Sequence, residues 1–85
     1  MIFYVYILQS QSTGRYYCGQ TKNLQQRLLH HNDPDYRSDA TTRRFTGPWN
    51  LVWSEQHLTR SGAMRKERQI KSRGVRRFLN RSSVG

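Results

Sequence analysis

The fold is decided by the N-terminal stretch Ile2-Phe3-Tyr4-Val5-Tyr6-Ile7-Leu8-Gln9. It is β-branched, aromatic and aliphatic without alternating polar residues, which predicts a β-strand. Alternate side chains of a strand point to opposite faces of the sheet. The two predicted faces are Tyr4, Tyr6 and Leu8 on one side and Phe3, Val5 and Ile7 on the other. Because both are apolar, we expect a central strand that is covered on both sides.

The residues that follow predict a hairpin and then a helix. A turn cluster at 10–14 leads into a second aromatic strand over 15–19. Thr21 offers a side-chain oxygen to the free backbone amides of a helix start, and the leucines of the helix then recur at i,i+4. Residues 32–48 show no steady period and are interrupted by prolines, so they are interpreted as a loop long enough to suggest function.

The second half of the chain predicts one more strand and two helices. Residues 49–58 are interpreted as a strand with Leu51 and Trp53 on the same face. Thr59 or Ser61 would cap the next helix, and a short third helix would follow. The expected fold class is therefore α+β, with a small three-stranded antiparallel sheet flanked by helices in the order β-β-α-β-α-α. We expect one domain over residues 1–81 and a frayed tail at 82–85.

The charge of the chain is high and unevenly distributed. The formal net charge is +10, and eleven of the fifteen Lys and Arg residues lie after residue 42, with two of the five acidic residues. Such a basic block favours a surface for a polyanion, above all a nucleic acid. A solvated face without a partner is the alternative. An anionic membrane surface is disfavoured, because no predicted helix pairs a basic face with a broad apolar one.

Several classes of protein are excluded by the composition. No run approaches the ~20 apolar residues of a membrane span. The apolar start lacks a basic leader and a small-residue cleavage site, so we do not expect a signal peptide. Cys18, the single cysteine, cannot build a disulfide framework or a multi-thiolate zinc site. A reducing, cytoplasmic location is the expectation.

Glu67 is the most informative residue of the second half. On a helical wheel it lies about 40° from Ala63, within the apolar stripe that includes Ile70 and must face the sheet. A carboxylate there carries a large desolvation cost unless a cation-rich cleft or a metal ion compensates it. The alternative is an ordinary helical ion pair with Lys71 at i,i+4. The wheel alone leaves both interpretations open.

Two tyrosines and an arginine raise the same question. The hairpin would place Tyr6 and Tyr17 side by side, where their phenol oxygens could bind a phosphate or water or serve as a base. Strand tyrosines are more often core residues with a polar tip. Arg27 could contact a phosphate through two nitrogens, or it could be solvated surface.

The order of these pieces resembles the GIY-YIG nuclease family. Tyr4-Val5-Tyr6 stands where that family has Gly-Ile-Tyr, and Tyr17-Cys18-Gly19 stands where it has Tyr-Ile-Gly. The helix over 23–32 follows, and residues 63–71 resemble the helix that carries the metal-binding glutamate of the family. The resemblance runs from residue 2 to about residue 80. Within the family, the chain is similar to the small stand-alone bacterial members related to the catalytic part of the UvrC excision-repair subunit.

The resemblance implies a metal-dependent endonuclease that hydrolyses phosphodiester bonds in DNA. Glu67 would hold one divalent ion, Mg²⁺ or Mn²⁺, largely through waters and phosphate oxygens. Tyr6 and Tyr17 would position or deprotonate the attacking water, and which of them is the base stays open. Arg27 would stabilise the transition state, and His31 would orient the substrate or assist proton transfer.

Other residues are expected to bind the nucleic acid. They are Lys22, Arg65, Lys71 and Asn80. The expected partner is DNA, with branched or damaged duplex as candidates and RNA left open, and a protein partner could supply targeting. No membrane partner is expected.

Two other functions fit the same sequence. The first is a nucleic-acid-binding module that keeps this fold without cutting, and the second is a basic protein-interaction domain. A nuclease requires metal-dependent product that is lost when Glu67 is replaced. A protein-interaction domain would bind nucleic acid weakly even at low salt.

Overall fold

The computed structural model describes residues 1–33 and 48–84, and the side chains of residues 1–33 and 48–80. Within them lie three strands and three helices: β1 (Phe3–Ser10), β2 (Tyr16–Thr21), α1 (Leu24–His31), β3 (Trp49–His57), α2 (Arg60–Arg73) and α3 (Val75–Val84). The predicted α+β order is confirmed. Most of the predicted loop lies outside the described residues, as does Gly85. The backbone of α3 continues into the predicted tail, and the domain boundary stays a prediction.

The strands form an antiparallel sheet in the order β2-β1-β3. The prediction that the first strand is central is therefore confirmed, and β2 is an edge strand. One face packs beneath α2 and α3. The buried residues of this layer are Val5, Ile7 and Cys18 of the sheet and Ala63 and Ile70 of α2. The other face packs beneath α1, where Leu24 and Leu28 cover the buried residues Tyr6, Leu8 and Trp49. Neither face of β1 is left to water, as its double apolar pattern requires.

A bulge in β3 corrects one prediction about the faces of that strand. Ile7 pairs with Trp53, whereas the next residue of β1, Leu8, pairs with Leu51, so Val52 is an extra residue. An extra residue reverses the alternation of the strand beyond it. Leu51 and Trp53 therefore lie on opposite faces, and the expectation that they share one is wrong. Trp53 packs on the α2 and α3 side, whereas Leu51 lies on the side of α1.

The helix caps confirm one prediction and correct another. The N-cap of α1 is Asn23, whose Oδ1 accepts the backbone N–H of Gln26 at 3.0 Å. Thr21, the residue predicted for this role, instead accepts the N–H of Asn23 at 3.2 Å and forms a turn just before the helix. The N-cap of α2 is Thr59, one of the two predicted candidates. None of the described helices has the length and apolar character that a membrane span requires.

Candidate active site and nucleic-acid interface

Tyr6, Tyr17 and His31 form a buried aromatic cluster on the α1 side of the sheet. The Tyr6 hydroxyl and His31 Nε2 are 3.1 Å apart, and the exposed fractions of these residues are only 1% and 3%. The ring centroids of Tyr17 and His31 are 4.7 Å apart, and those of the two tyrosines 6.2 Å apart. The prediction that the hairpin brings the tyrosines together is confirmed. His31 joins them because it ends α1 on the helical face that packs against the sheet.

Gly19 leaves the space that the Tyr6 hydroxyl occupies. A Cβ atom at Gly19 would lie 2.9 Å from that hydroxyl oxygen and 3.1 Å from Cε1 of Tyr17. Sequence reasoning assigned no role to this glycine, although a glycine inside a strand often marks a close approach of another group. The glycine of Tyr17-Cys18-Gly19 therefore serves the packing of both tyrosines.

Glu67 lies on the opposite, α2 side of the sheet. Its side chain is 19% exposed and lines a groove of about 270 Å³ with Gln20, Met64, Arg68 and Lys71. The prediction that Glu67 faces the sheet is confirmed. The alternative interaction is present too, because Lys71 Nζ lies 2.8 Å from Glu67 Oε2. The carboxylate thus has a cation beside it without any metal.

Cys18 lies on the same side of the sheet as this groove, and its surroundings disfavour the thiolate. Burial raises the pKa of its thiol to about 11, the Glu67 charge adds to the rise, and Lys71 opposes it. A thiol with that pKa is protonated at neutral pH, and only the thiolate attacks electrophiles or binds metals well. Cys18 is therefore a packing residue, as the apolar cluster around it also indicates.

The tyrosines and Glu67 are separated by the edge strand β2. Tyr17 and Gly19 face the side of α1, whereas Cys18 and Gln20 face the side of α2. Sequence reasoning did not foresee this separation, because a motif gives the order of residues along the chain and not the face of the sheet. A substrate that reaches both groups must lie along the exposed edge of β2.

A cationic groove adjoins the Glu67 groove near the end of β2. It has a volume of about 410 Å³, and the cations that line it are Lys22, Arg27 and Arg60. Gln20 lines both grooves and so marks their junction. Arg27 and Lys22 lie in the same groove, and their expected contact to phosphate stays a prediction. Nothing in the sequence pairs Arg60 with Arg27.

Two predicted binding residues lie outside these grooves. Arg65 is exposed on α2, and Asn80 is exposed on α3; neither lines the Glu67 groove or the cationic groove. Their role as nucleic-acid contacts stays a prediction. Lys71, by contrast, lies in the Glu67 groove, although it is engaged by the carboxylate.

The donor atoms in the Glu67 groove fit a hard cation and not a zinc ion. Within the part of the chain that the structure describes, no three His, Cys, Asp or Glu side chains cluster as a protein-built metal site would need. Mg²⁺ keeps several waters and is held by one or two carboxylates plus substrate phosphates. One half-buried carboxylate beside a cationic groove meets that requirement once a phosphate is present. Any such cation would compete with the Lys71 ammonium for Glu67.

Comparisons with known proteins agree with this fold. A family model described as the GIY-YIG catalytic domain matches residues 2–78. A UPF0213 protein of Staphylococcus saprophyticus is 30% identical, and the match covers 96% of this chain and 95% of that protein. A UPF0213 protein of Syntrophus aciditrophicus is 40% identical, over 80% of this chain and 75% of that protein.

A solved structure extends the comparison to three dimensions. The solution NMR structure of the UPF0213 protein BH0048 from Bacillus halodurans matches with a TM-score of 0.59 and 28% identity, over 99% of this chain and 85% of that one. The family model spans most of the sequence, including both tyrosine motifs and the helix of Glu67. The chain therefore belongs to the GIY-YIG catalytic domain family.

Proposed function

We propose that this protein is a metal-dependent endonuclease that hydrolyses phosphodiester bonds in DNA. One observation carries the proposal: a half-buried carboxylate groove and a cationic groove meet at Gln20, near the end of the edge strand β2. Cations bind the phosphates of a strand, and a carboxylate next to them can hold a divalent ion at one of those phosphates. The family to which the chain belongs supports the same chemistry.

The cationic groove would bind and orient the substrate strand. The guanidinium of Arg27 can make two parallel hydrogen bonds to a phosphate, a geometry that lysine lacks. Arg60 and Lys22 would neutralise neighbouring phosphates in the same groove. The scissile phosphate would then lie towards Gln20 and Glu67.

Glu67 would hold Mg²⁺ or Mn²⁺ beside that phosphate. When bound, the ion supplies charge stabilisation to the phosphate and to the leaving oxygen. Lys71 would leave the carboxylate and neutralise a substrate phosphate instead. Arg27 would stabilise the charge that grows on the phosphate oxygens in the transition state.

Tyr17 is the tyrosine better placed to contact the attacking water. It is half-buried on the edge strand, whereas Tyr6 is 1% exposed and its hydroxyl lies within hydrogen-bond distance of His31. Tyr17 would orient or deprotonate the water, and Tyr6 would support the cluster from inside. The resemblance implied that His31 orients the substrate or assists proton transfer. Because His31 is also buried, we propose instead that it positions the tyrosines and does not itself contact the substrate.

The test is cleavage of supercoiled plasmid and of a branched-DNA panel in Mg²⁺, Mn²⁺ or EDTA. We expect Glu67→Gln to lower the metal-dependent rate at least about a hundredfold, because losing the ion removes several kcal/mol of transition-state stabilisation. DNA binding should be largely retained. Glu55→Gln is the matched control: its carboxylate lies on β3, 2.8 Å from His57 and 3.9 Å from Lys66, and it lines neither groove.

A non-cutting nucleic-acid-binding module is the second candidate. The Lys71–Glu67 ion pair is the observation that fits it, since Lys71 would compete with a divalent ion for the carboxylate. Tight, salt-sensitive binding with no product under any metal condition would overturn the nuclease proposal in its favour. Three further proposals are a role in repair or recombination, which rests on the family, a cytoplasmic location, which rests on the presence of a single cysteine, and a protein partner for targeting.

A further inference from the structure

An apolar pocket lies next to the cationic groove, between α1 and the sheet. Its volume is about 490 Å³, and its apolar lining consists of Tyr4, Leu24, Leu28 and Leu51. Pockets that hold small ligands have volumes of roughly 300–1,000 Å³ and a mostly apolar lining with a few polar groups. The polar groups here include Lys22 and Asn23.

The bulge in β3 turns Leu51 towards this pocket. If Val52 were paired in register, as in a regular strand, Leu51 would lie on the same face as Trp53, beneath α2 and α3. Instead it lines the pocket with Tyr4 and keeps 39% of its surface exposed. Bulges commonly re-aim a side chain next to a functional site. Leu51 therefore adds apolar surface to the pocket beside Tyr4.

The pocket continues into the cationic groove. Lys22 and Asn23 line both, and the cationic groove meets the Glu67 groove at Gln20. An apolar site, a cationic site and a carboxylate site thus follow one another along the molecule. A nucleotide has the same sequence of properties, a flat base next to a phosphate. The charge of the adjoining cations selects this occupant over an uncharged aromatic ligand.

We propose that the pocket binds one unpaired base of the substrate strand, a proposal that rests on the endonuclease function proposed above. Tyr4 provides the stacking surface, the leucines contact the base, and Lys22 binds the adjoining phosphate. A base inside a duplex is stacked on both faces and paired at its edge, so it cannot enter a concave pocket. The preferred substrate therefore carries single-stranded nucleotides next to the cut, as in a flap, a gap or an overhang.

The experiment combines an abasic scan with Tyr4 variants. Binding of a fluorescent DNA with a single-stranded overhang is measured in EDTA, with one base removed at each overhang position in turn. We expect removal at one position to weaken binding by the wild-type protein by about fivefold to a hundredfold, the range that one base–aromatic contact supplies. Tyr4→Leu should weaken binding of the intact DNA by a similar factor, and its binding should no longer depend on that base. Tyr4→Phe should retain both.

Matched variants and outcomes separate this proposal from the one on which it rests. Leu58→Ala, at an 84% exposed leucine that does not line the pocket, should leave the scan unchanged. A flat scan with tight binding would overturn the base pocket and leave the endonuclease proposal standing. No binding at low salt would overturn both. If Tyr4→Leu fails to fold, the wild-type scan still decides, because it requires no variant.

Discussion

At the scale of single residues, Gly19 and Tyr6 are the most tightly constrained pair in the candidate site. We expect Gly19→Ala to destabilise the protein by about 1–3 kcal/mol, because the new Cβ would lie 2.9 Å from a hydroxyl oxygen that cannot easily move. Tyr6 is fully buried, and its hydroxyl lies 3.1 Å from His31 Nε2. The small gain that alanine brings over glycine in a strand does not offset such a clash. Urea unfolding measures the change.

A double-mutant cycle identifies the cause of that cost. Tyr6→Phe removes the nearest atom, so Gly19→Ala should cost at least about 0.5 kcal/mol less in that background. Tyr6→Phe should remove only part of the cost of Gly19→Ala, since Tyr6 Cζ and Tyr17 Cε1 would each lie 3.1 Å from the new Cβ. Equal costs in both backgrounds would show that the hydroxyl is not the constraint.

The individual site residues could be predicted from the sequence better than their arrangement. The wheel placed Glu67 against the sheet, and the hairpin placed Tyr6 beside Tyr17, because each depends on local periodicity and pairing. That Glu67 and the tyrosines lie on opposite sides of β2 depends on which face each helix covers. So does the meeting of Arg27 with Arg60. Arg27 and Arg60 belong to helices that are far apart in sequence, so no local pattern encodes that they line the same groove.

At the scale of elements, α2 carries Glu67, and Thr59 fixes the start of this helix. Thr59 Oγ1 accepts the N–H of Gly62 at 3.0 Å, whereas Ser61 Oγ makes only a 3.4 Å contact with Thr59 Oγ1. We expect Thr59→Ala to lower the free energy of unfolding by about 1 kcal/mol, the usual cost of a lost N-cap. Ser61→Ala should change it by much less. Urea unfolding of both variants tests this. A larger loss of stability in Ser61→Ala than in Thr59→Ala would assign the cap to Ser61.

The errors at this scale have a common cause. Thr21 and Asn23 are both good capping residues two positions apart, and the end of β2 decides between them, because pairing with Tyr4 holds Thr21 in the strand. The bulge at Val52 likewise appears only in the pairing of β3 with β1. Propensity and periodicity describe one element at a time, whereas these features arise where two elements meet.

At the scale of the whole molecule, some cations interact with other side chains of the protein, and others are available to a ligand. Lys66 Nζ lies 5.3 Å from the centroid of the Phe78 ring and 3.9 Å from Glu55 Oε1, so it helps to join α2 to α3 and β3. The cations of the groove are different, because Lys22, Arg27 and Arg60 line one depression next to Glu67's groove. A net charge of +10 alone does not distinguish these two uses. The salt dependence of DNA binding distinguishes them.

We expect log K for duplex DNA to fall with log salt with a slope of about −2.7 or steeper, since the three groove cations alone would release counterions at about 0.9 per phosphate. Arg27→Gln should make the slope shallower by about one unit. Lys66→Gln removes the same charge but should leave the slope nearly unchanged, because its ammonium is engaged within the protein. Fluorescence anisotropy between 50 and 200 mM KCl provides the measurement. A slope near zero would show that the groove cations do not bind phosphates. Equal effects of the two variants would mean that net charge, not the groove, attracts the DNA.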